Sequence, residues 1–442
     1  MHDDLRSAID ARFAADVADL ERLVRIPSVS APDFDPADVR RSADETATLL
    51  AAAGYQGVTV LDLEGAAPAV FGSVPAPDGA PTVLLYAHHD VQPPGEGWSS
   101  DPFEPVRRDG RLYGRGTSDD KCGVVMHAAV LRAFDGRPPV GLKVFVEGEE
   151  EVGSPNLPAF LDAHRDLLAA DVIVIADSAN WRVGVPAVTT SLRGLISAIV
   201  EVRTLDHAVH SGMFGGAVPD ALTALTRVLA SLHDGSGDVA IPGLRAFETD
   251  PLDLTEEELR AQAGVVDGVR LIGEGALTSR LWTKPAAAVL AIDAPPVGKA
   301  INALVPVARA KVSVRLAPGD DPARAMDALV AHLEGQDVWG ARVAVTPLES
   351  GAPFDLAGGD PREAAFRSAF AEAWGREPVD IGIGGSIPFV AAFQEAYPEA
   401  AILLTGVGDP TSRAHGPDES LDLEELRRGI LGQAIALREL GD

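Results

Sequence analysis

PTVLLYAHHD at 81–90, LKVFVEGEEE at 142–151 and DVIVIAD at 171–177 decide the fold of this chain. Each is a short apolar run bounded by turn formers, the pattern of a strand buried on both faces of a parallel sheet. Helix-like segments separate them, KCGVVMHAAVLRAF at 121–134 and NLPAFLDAHRDLLAA at 156–170. Strands alternating with helices argue for an α/β layer fold. All three strands end in acid or histidine. Ligands of open α/β sheets bind beyond the carboxyl ends of the strands, so the spelling predicts His88, Asp90, the Glu149–Glu151 run and Asp177 side by side at one sheet edge.

Working outward, residues 1–25 read as an amphipathic helix stopped by Pro27, and 36–53 as a second helix ended by Gly54. VTVLDLE and PAVFGSV follow as short strands. After about residue 188 the register changes: SLRGLISAIVEVRT alternates as a long strand, PDALTALTRVLASLH reads as a helix, and VPVARAKVSVRLA, a helix at 321–335 and ARVAVTPLE complete a small α+β unit of ferredoxin-like type. Residues 236–300, rich in Gly, Pro and Ala, are expected to be loops and a covering segment. From about 353 the first pattern resumes, with a helix at 361–375, a strand at 401–408 and a last helix at 422–440. The expected layout is one domain interrupted by another: 1–188 and 352–442 forming the α/β part, 189–351 inserted.

Composition bounds the function. A length of 442 residues with 46% hydrophobic and 23% charged residues is that of an ordinary globular chain with room for two domains. The 66 Asp and Glu against 37 Lys and Arg leave a net charge of −29, which repels phosphate backbones and anionic lipid and argues against nucleic-acid or membrane partners. Cys122 is the only cysteine, so no intramolecular disulfide calls for an oxidising compartment. The acidic first twenty residues resemble neither a secretion signal nor a transit peptide, and a cytoplasmic protein is expected. The longest apolar runs, such as AAAVLAI at 286–292, are far too short to span a bilayer.

Within His88-His89-Asp90, residues two apart on an extended strand point the same way, so Asp90 can orient His88 while His89 turns aside. Adjacent Glu150 and Glu151 diverge on an extended backbone, so one can ligate a cation while the other reaches a water. Lewis acid and general base at one spot are what amide hydrolysis requires. Taken singly, each residue also fits a solvated strand end, since charged side chains mostly decorate surfaces.

The ordered motifs YAHHDVQP (86–93), GWSSDPFEP (97–105), LYGRGTSDDKCG (112–123), EGEEEVGS (147–154), IADS (175–178), HSGMFGG (210–216), GGSIPF (384–389) and AHGPDES (414–420) resemble those of the two-metal peptidase family. That family includes carnosinase-type dipeptidases, acetylornithine deacetylase, succinyl-diaminopimelate desuccinylase and carboxypeptidase G. The DVQP, DDK and EGxEExGS patterns are most similar to the dipeptidase branch. The resemblance implies a catalytic domain with a mostly parallel sheet and an inserted ferredoxin-like dimerisation (lid) domain. It implies two divalent metal ions, zinc or alternatively manganese. By motif, His88 and Asp177 would hold one ion, Glu151 and His415 the other, and Asp119 would bridge both. Glu150 matches the general base and Asp90 the residue that orients His88. His210 matches a histidine sent across a homodimer, and Asn302, Arg315 and Ser386 match substrate contacts. The peptide bond after Asp119 is often cis in such enzymes. Glu149, His89 and Cys122 depart from the family pattern without removing a ligand.

His127, His164, His207, His233 and His332 read as structural or loop residues, and Trp98 as packing. GIGGS at 382–386 lacks the Lys and Ser/Thr of a phosphate loop. The implied activity is hydrolysis of dipeptides or similar small amides. The alternatives are a deacylase of N-acyl amino acids, a glutamate-type carboxypeptidase, and a non-catalytic binding protein on the same fold.

Overall fold

The computed structural model describes residues 2–249, 252–356, 360–385 and 388–441. The chain forms two compact units, Met1–Thr190 with Leu356–Ile381 and Pro388–Asp442, and Ser191–Asp355 with Gly382–Ile387.

In the first unit the strand Thr82–His88 lies parallel to Gly141–Glu147 on one side and to Val172–Ile175 on the other, and Ala401–Leu404 extends the parallel set. Ala69–Val74 and Gln56–Leu61 add antiparallel strands beyond Gly141–Glu147. Both faces of Thr82–His88 are apolar because both are covered, which is why its sequence is a continuous run rather than an alternation. Val83, Leu85 and Ala87 join the cluster formed with Leu20, Val130 and Ile430 from three helices. Tyr86 points the other way and stacks on Phe389 at 4.7 Å between ring centroids.

The helix Lys121–Ala133 connects the strands of the HHD and EEE motifs; Asp120 caps it by accepting from the Gly123 amide. Every residue from Lys121 to Leu131 is buried. The Lys121 ammonium therefore needs partners, and it donates to the carbonyls of Leu23 (2.8 Å) and Ile26 (2.7 Å), the end of the helix Asp3–Val24. Burial pushes it down to about 7. His127 has the structural role read from the sequence: its Nε2 contacts the Tyr86 carbonyl at 3.0 Å and its Nδ1 the Gln433 amide nitrogen at 3.2 Å. Burial lowers its pKa to about 4, so it is neutral. The helix expected over 156–170 is broken: Leu157–Ala163 and Arg165–Leu168 meet at His164, whose backbone leaves helical dihedrals.

The second unit carries an antiparallel sheet in the order Ala286–Asp293, Val307–Leu316, Gly194–Arg203, Arg342–Gly351. The helices Ala221–Ala230 and Pro322–Glu334 pack on it through Leu225, Val228 and Leu329. With two helices between four strands in that order, this is the ferredoxin-like arrangement. The expectation of loops through 236–300 is corrected. The region contains helices Glu256–Ala263 and Leu277–Trp282 and the edge strand Ala286–Asp293. That strand escapes a pattern search because Val289, Leu290 and Ile292 are all exposed, leaving no inside-outside alternation. Among the described residues no helix is long and apolar enough to cross a membrane.

Candidate metal centre

The parallel register places His88 opposite Glu147 and Tyr86 opposite Ile175, so the chain beyond each strand emerges at one edge. Asp177 lies just past one strand end, and Glu150 and Glu151 just past another. Asp119 precedes the connecting helix, and its peptide bond to Asp120 is cis. His415 comes from a distant loop and occupies the left-handed region at φ 64°, a strained conformation for a residue with a side chain.

These side chains converge. Asp119 directs one carboxylate oxygen to each histidine: Oδ1 lies 3.1 Å from His88 Nε2 and Oδ2 2.9 Å from His415 Nε2. Asp177 and Glu150 flank His88 at 3.9 and 4.0 Å, while Glu151 lies 3.2 Å from His415. Donor atoms of His88, Glu150 and Asp177 all lie within 4.8 Å of one another, as do those of His88, Asp119 and Glu151. The structure thus puts Glu150 itself within reach of a cation.

Glu150 and Glu151 sit on a short 3-10 turn, Glu150–Val152, and not on the extended backbone expected. Asp90 causes this. Its carboxylate accepts the amides of Glu150 (3.2 Å) and Glu151 (3.0 Å) while also contacting His88 Nδ1 at 3.3 Å. Gly148 lets the chain pass: a Cβ there would lie 2.4 Å from the Pro68 carbonyl and 2.8 Å from His89 Nε2. The two glutamates still diverge, one to His88 and the other to His415. His89 turns aside to the Pro68 carbonyl at 2.9 Å. Glu149 ties the Ala67 amide (2.9 Å) to the Asn156 amide (2.8 Å), which gives the first glutamate of the run a structural role.

The electrostatics fit divalent cations. Burial, then the charges of Asp177, Glu151 and Asp119, raise Glu150 above the usual carboxylate range against the pull of His88. Burial and its neighbours likewise raise Asp177. Asp119 is lowered, because hydrogen bonds with His415 and His88 outweigh its burial. So many carboxylates cannot all ionise together without added positive charge. Imidazole with carboxylate oxygen is a donor set suited to zinc and to manganese.

The other predicted residues lie in the second unit. His210 ends the short strand Val209–His210, paired with Ala303–Leu304, and its Nδ1 accepts from the Gly212 amide at 3.0 Å. Asn302 is beside it, its carbonyl accepting from the Ser211 amide at 3.0 Å. Arg315 belongs to the strand Val307–Leu316, opposite Leu195 and Ala286. Ser386 lies outside the described residues. Two positioning contacts escaped the sequence reading. Ser30 donates to Asp90 Oδ2 at 2.7 Å. Gln92 fastens Glu151 through its backbone amide (3.0 Å to Oε1) and its side chain (2.9 Å to Oε2). Gln92 stands in the DVQP motif, the one signal that could have found it.

The model of peptidase family M20/M25/M40 matches residues 84–437. A cysteinylglycine-S-conjugate dipeptidase of Corynebacterium striatum is 38% identical over 82% of this chain and 82% of its own. The human beta-Ala-His dipeptidase is 29% identical over 77% of this chain and 71% of its own. Among solved structures, human carnosine dipeptidase 1 superposes with a TM-score of 0.79 at 26% identity, covering 99% of this chain and 98% of that one. The dipeptidase Dug1p from Saccharomyces cerevisiae gives 0.80 at 24% identity over 99% and 98%, a likeness of fold.

Proposed function

The chain belongs to peptidase family M20/M25/M40, and from that premise we propose that it is a two-metal dipeptidase hydrolysing the peptide bond of small dipeptides. The observation that carries this reading is Asp119, with one oxygen toward His88 and the other toward His415, and Glu150 beside them. His88, Asp119 and Asp177 would hold one cation and Asp119, Glu151 and His415 the second, zinc or manganese in either place. Bound there, such ions polarise the scissile carbonyl and lower the pKa of a water toward neutrality. Glu150 takes a proton from the attacking water and returns it to the leaving amine. Asp90 keeps the His88 ring and the Glu150–Glu151 turn in register. By motif, Arg315 would grip the substrate carboxylate, a contact a guanidinium makes bidentately, and Asn302 would be a further substrate contact.

A panel of dipeptides, S-substituted Cys-Gly and β-Ala-His among them, set against N-acyl amino acids tests the substrate class. The dipeptides should have the higher kcat/KM, and chelation should abolish activity until metal is restored. Preference for N-acyl amino acids would favour the deacylase reading instead.

In this proposal two copies associate through the inserted unit, and His210 of one copy stabilises the developing oxyanion in the other's site. Two features support it: the His210 side chain is exposed with Nδ1 already engaged, and Met213 and Phe214 beside it are exposed apolar residues. Mixing inactive Glu150→Gln chains with inactive His210→Ala chains should regain activity after subunit exchange, because one site of each hybrid then has both groups. A mixture that stays inactive although hybrids form would rule out the crossing histidine.

A further inference from the structure

We propose that Glu419 is a positioning residue for the metal centre, its carboxylate locking the loop that carries Asp119 to the loop that carries His415. The inference rests on the two-metal reading above. Glu419 is fully buried. Its Oε1 accepts the amides of Ser118 (2.9 Å) and of Asp119 itself (3.2 Å). Its Oε2 accepts the Gly116 amide at 3.0 Å and a guanidinium hydrogen of Arg115. Its own carbonyl accepts the Gly114 amide at 2.9 Å. One residue, four positions after His415, thus engages five groups along 114–119.

A buried ion pair would account for Arg115 alone. It would not aim both oxygens at three backbone amides leading up to and including Asp119. The need for such a lock follows from the site. Asp119 must present one oxygen to each histidine, and His415 sits in a strained left-handed loop. Neither loop belongs to the parallel sheet, and the antiparallel pairing of Arg111–Tyr113 with Ser420–Asp422 joins only their flanks, ending short of Asp119 and His415. A carboxylate with acceptor capacity on both oxygens can take all four hydrogens at once, and no neutral side chain of that size can. In Glu419→Gln the new amide must point its hydrogens either at Ser118 and Asp119 or at Gly116 and Arg115, setting donor against donor.

The test is metal affinity, read by competition with a chromophoric chelator, together with the visible spectrum of the cobalt-loaded protein. Glu419→Gln should raise the metal dissociation constant about 10- to 100-fold, the usual cost of losing a residue that orients a metal ligand. It should also change the cobalt absorption bands while unfolding stays cooperative. Glu419→Asp keeps the charge but withdraws it by one methylene, so it should weaken metal binding as well and supplies the measurement if the glutamine variant does not fold. Wild-type affinity and an unchanged cobalt spectrum, with only a lowered Tm, would reduce Glu419 to a fold strut and overturn the inference alone. A wild-type chain that binds no metal would sink the hydrolase reading itself.

Discussion

Glu150→Gln is expected to lower kcat by about 10²- to 10⁴-fold, the range supplied by a positioned acid-base group, with KM and metal content near wild type. Glutamine keeps the shape and one acceptor oxygen but cannot take a proton from water. The structure leaves a sharp competitor, because Glu150 shares a donor group with His88 and Asp177. Were Glu150 a ligand, the same substitution would shed metal, so metal content measured alongside turnover separates base from ligand. Stability provides a second readout. In the metal-free chain the Glu150 pKa is raised by burial and by neighbouring carboxylates. A raised carboxyl pKa means that the folded state holds more protons than the unfolded one above the ordinary carboxyl range, so stability falls as pH rises through that window. Removing the titration should therefore leave the metal-free variant at least as stable as wild type, with the advantage growing as pH rises. Once cations occupy the site that advantage should shrink, since positive charge already offsets the repulsion.

Asp119→Ala is the larger effect. The wild-type carboxylate faces both histidines, so its loss removes a donor from each half of the site at once. Metal content measured by mass spectrometry after desalting should fall from two ions per chain to one or none, and turnover to the background. Retention of two ions would contradict its bridging role.

Much of this was legible in the sequence for a physical reason. Strands buried on both faces of a parallel sheet are spelled as unbroken apolar runs, and such a sheet gathers its carboxyl ends. The endings HHD, EEE and Asp177 are therefore placed together by the sequence pattern alone. Asp119 and His415 were different. They lie on loops whose path no periodicity encodes, and only motif resemblance pointed to them. The pair Glu150-Glu151 departs from the extended backbone its sequence predicts because Asp90, about 60 positions away in sequence, holds the turn through amide contacts that leave no local signature. Gln92, Ser30 and Glu419 were overlooked for the same reason. Each acts by a hydrogen bond between distant segments, and a polar residue in a loop reads the same whether it faces solvent or a ligand. The edge strand Ala286–Asp293 was hidden by its exposure, since periodicity reports burial and not strand pairing.

Anomalous scattering from crystals of the metal-loaded protein tests the central claim most directly. The account predicts two ions per chain, one among His88, Asp119 and Asp177 and the other among Asp119, Glu151 and His415, with Glu150 uncoordinated. A single ion bound by Glu150, or ions away from Asp119, would contradict it.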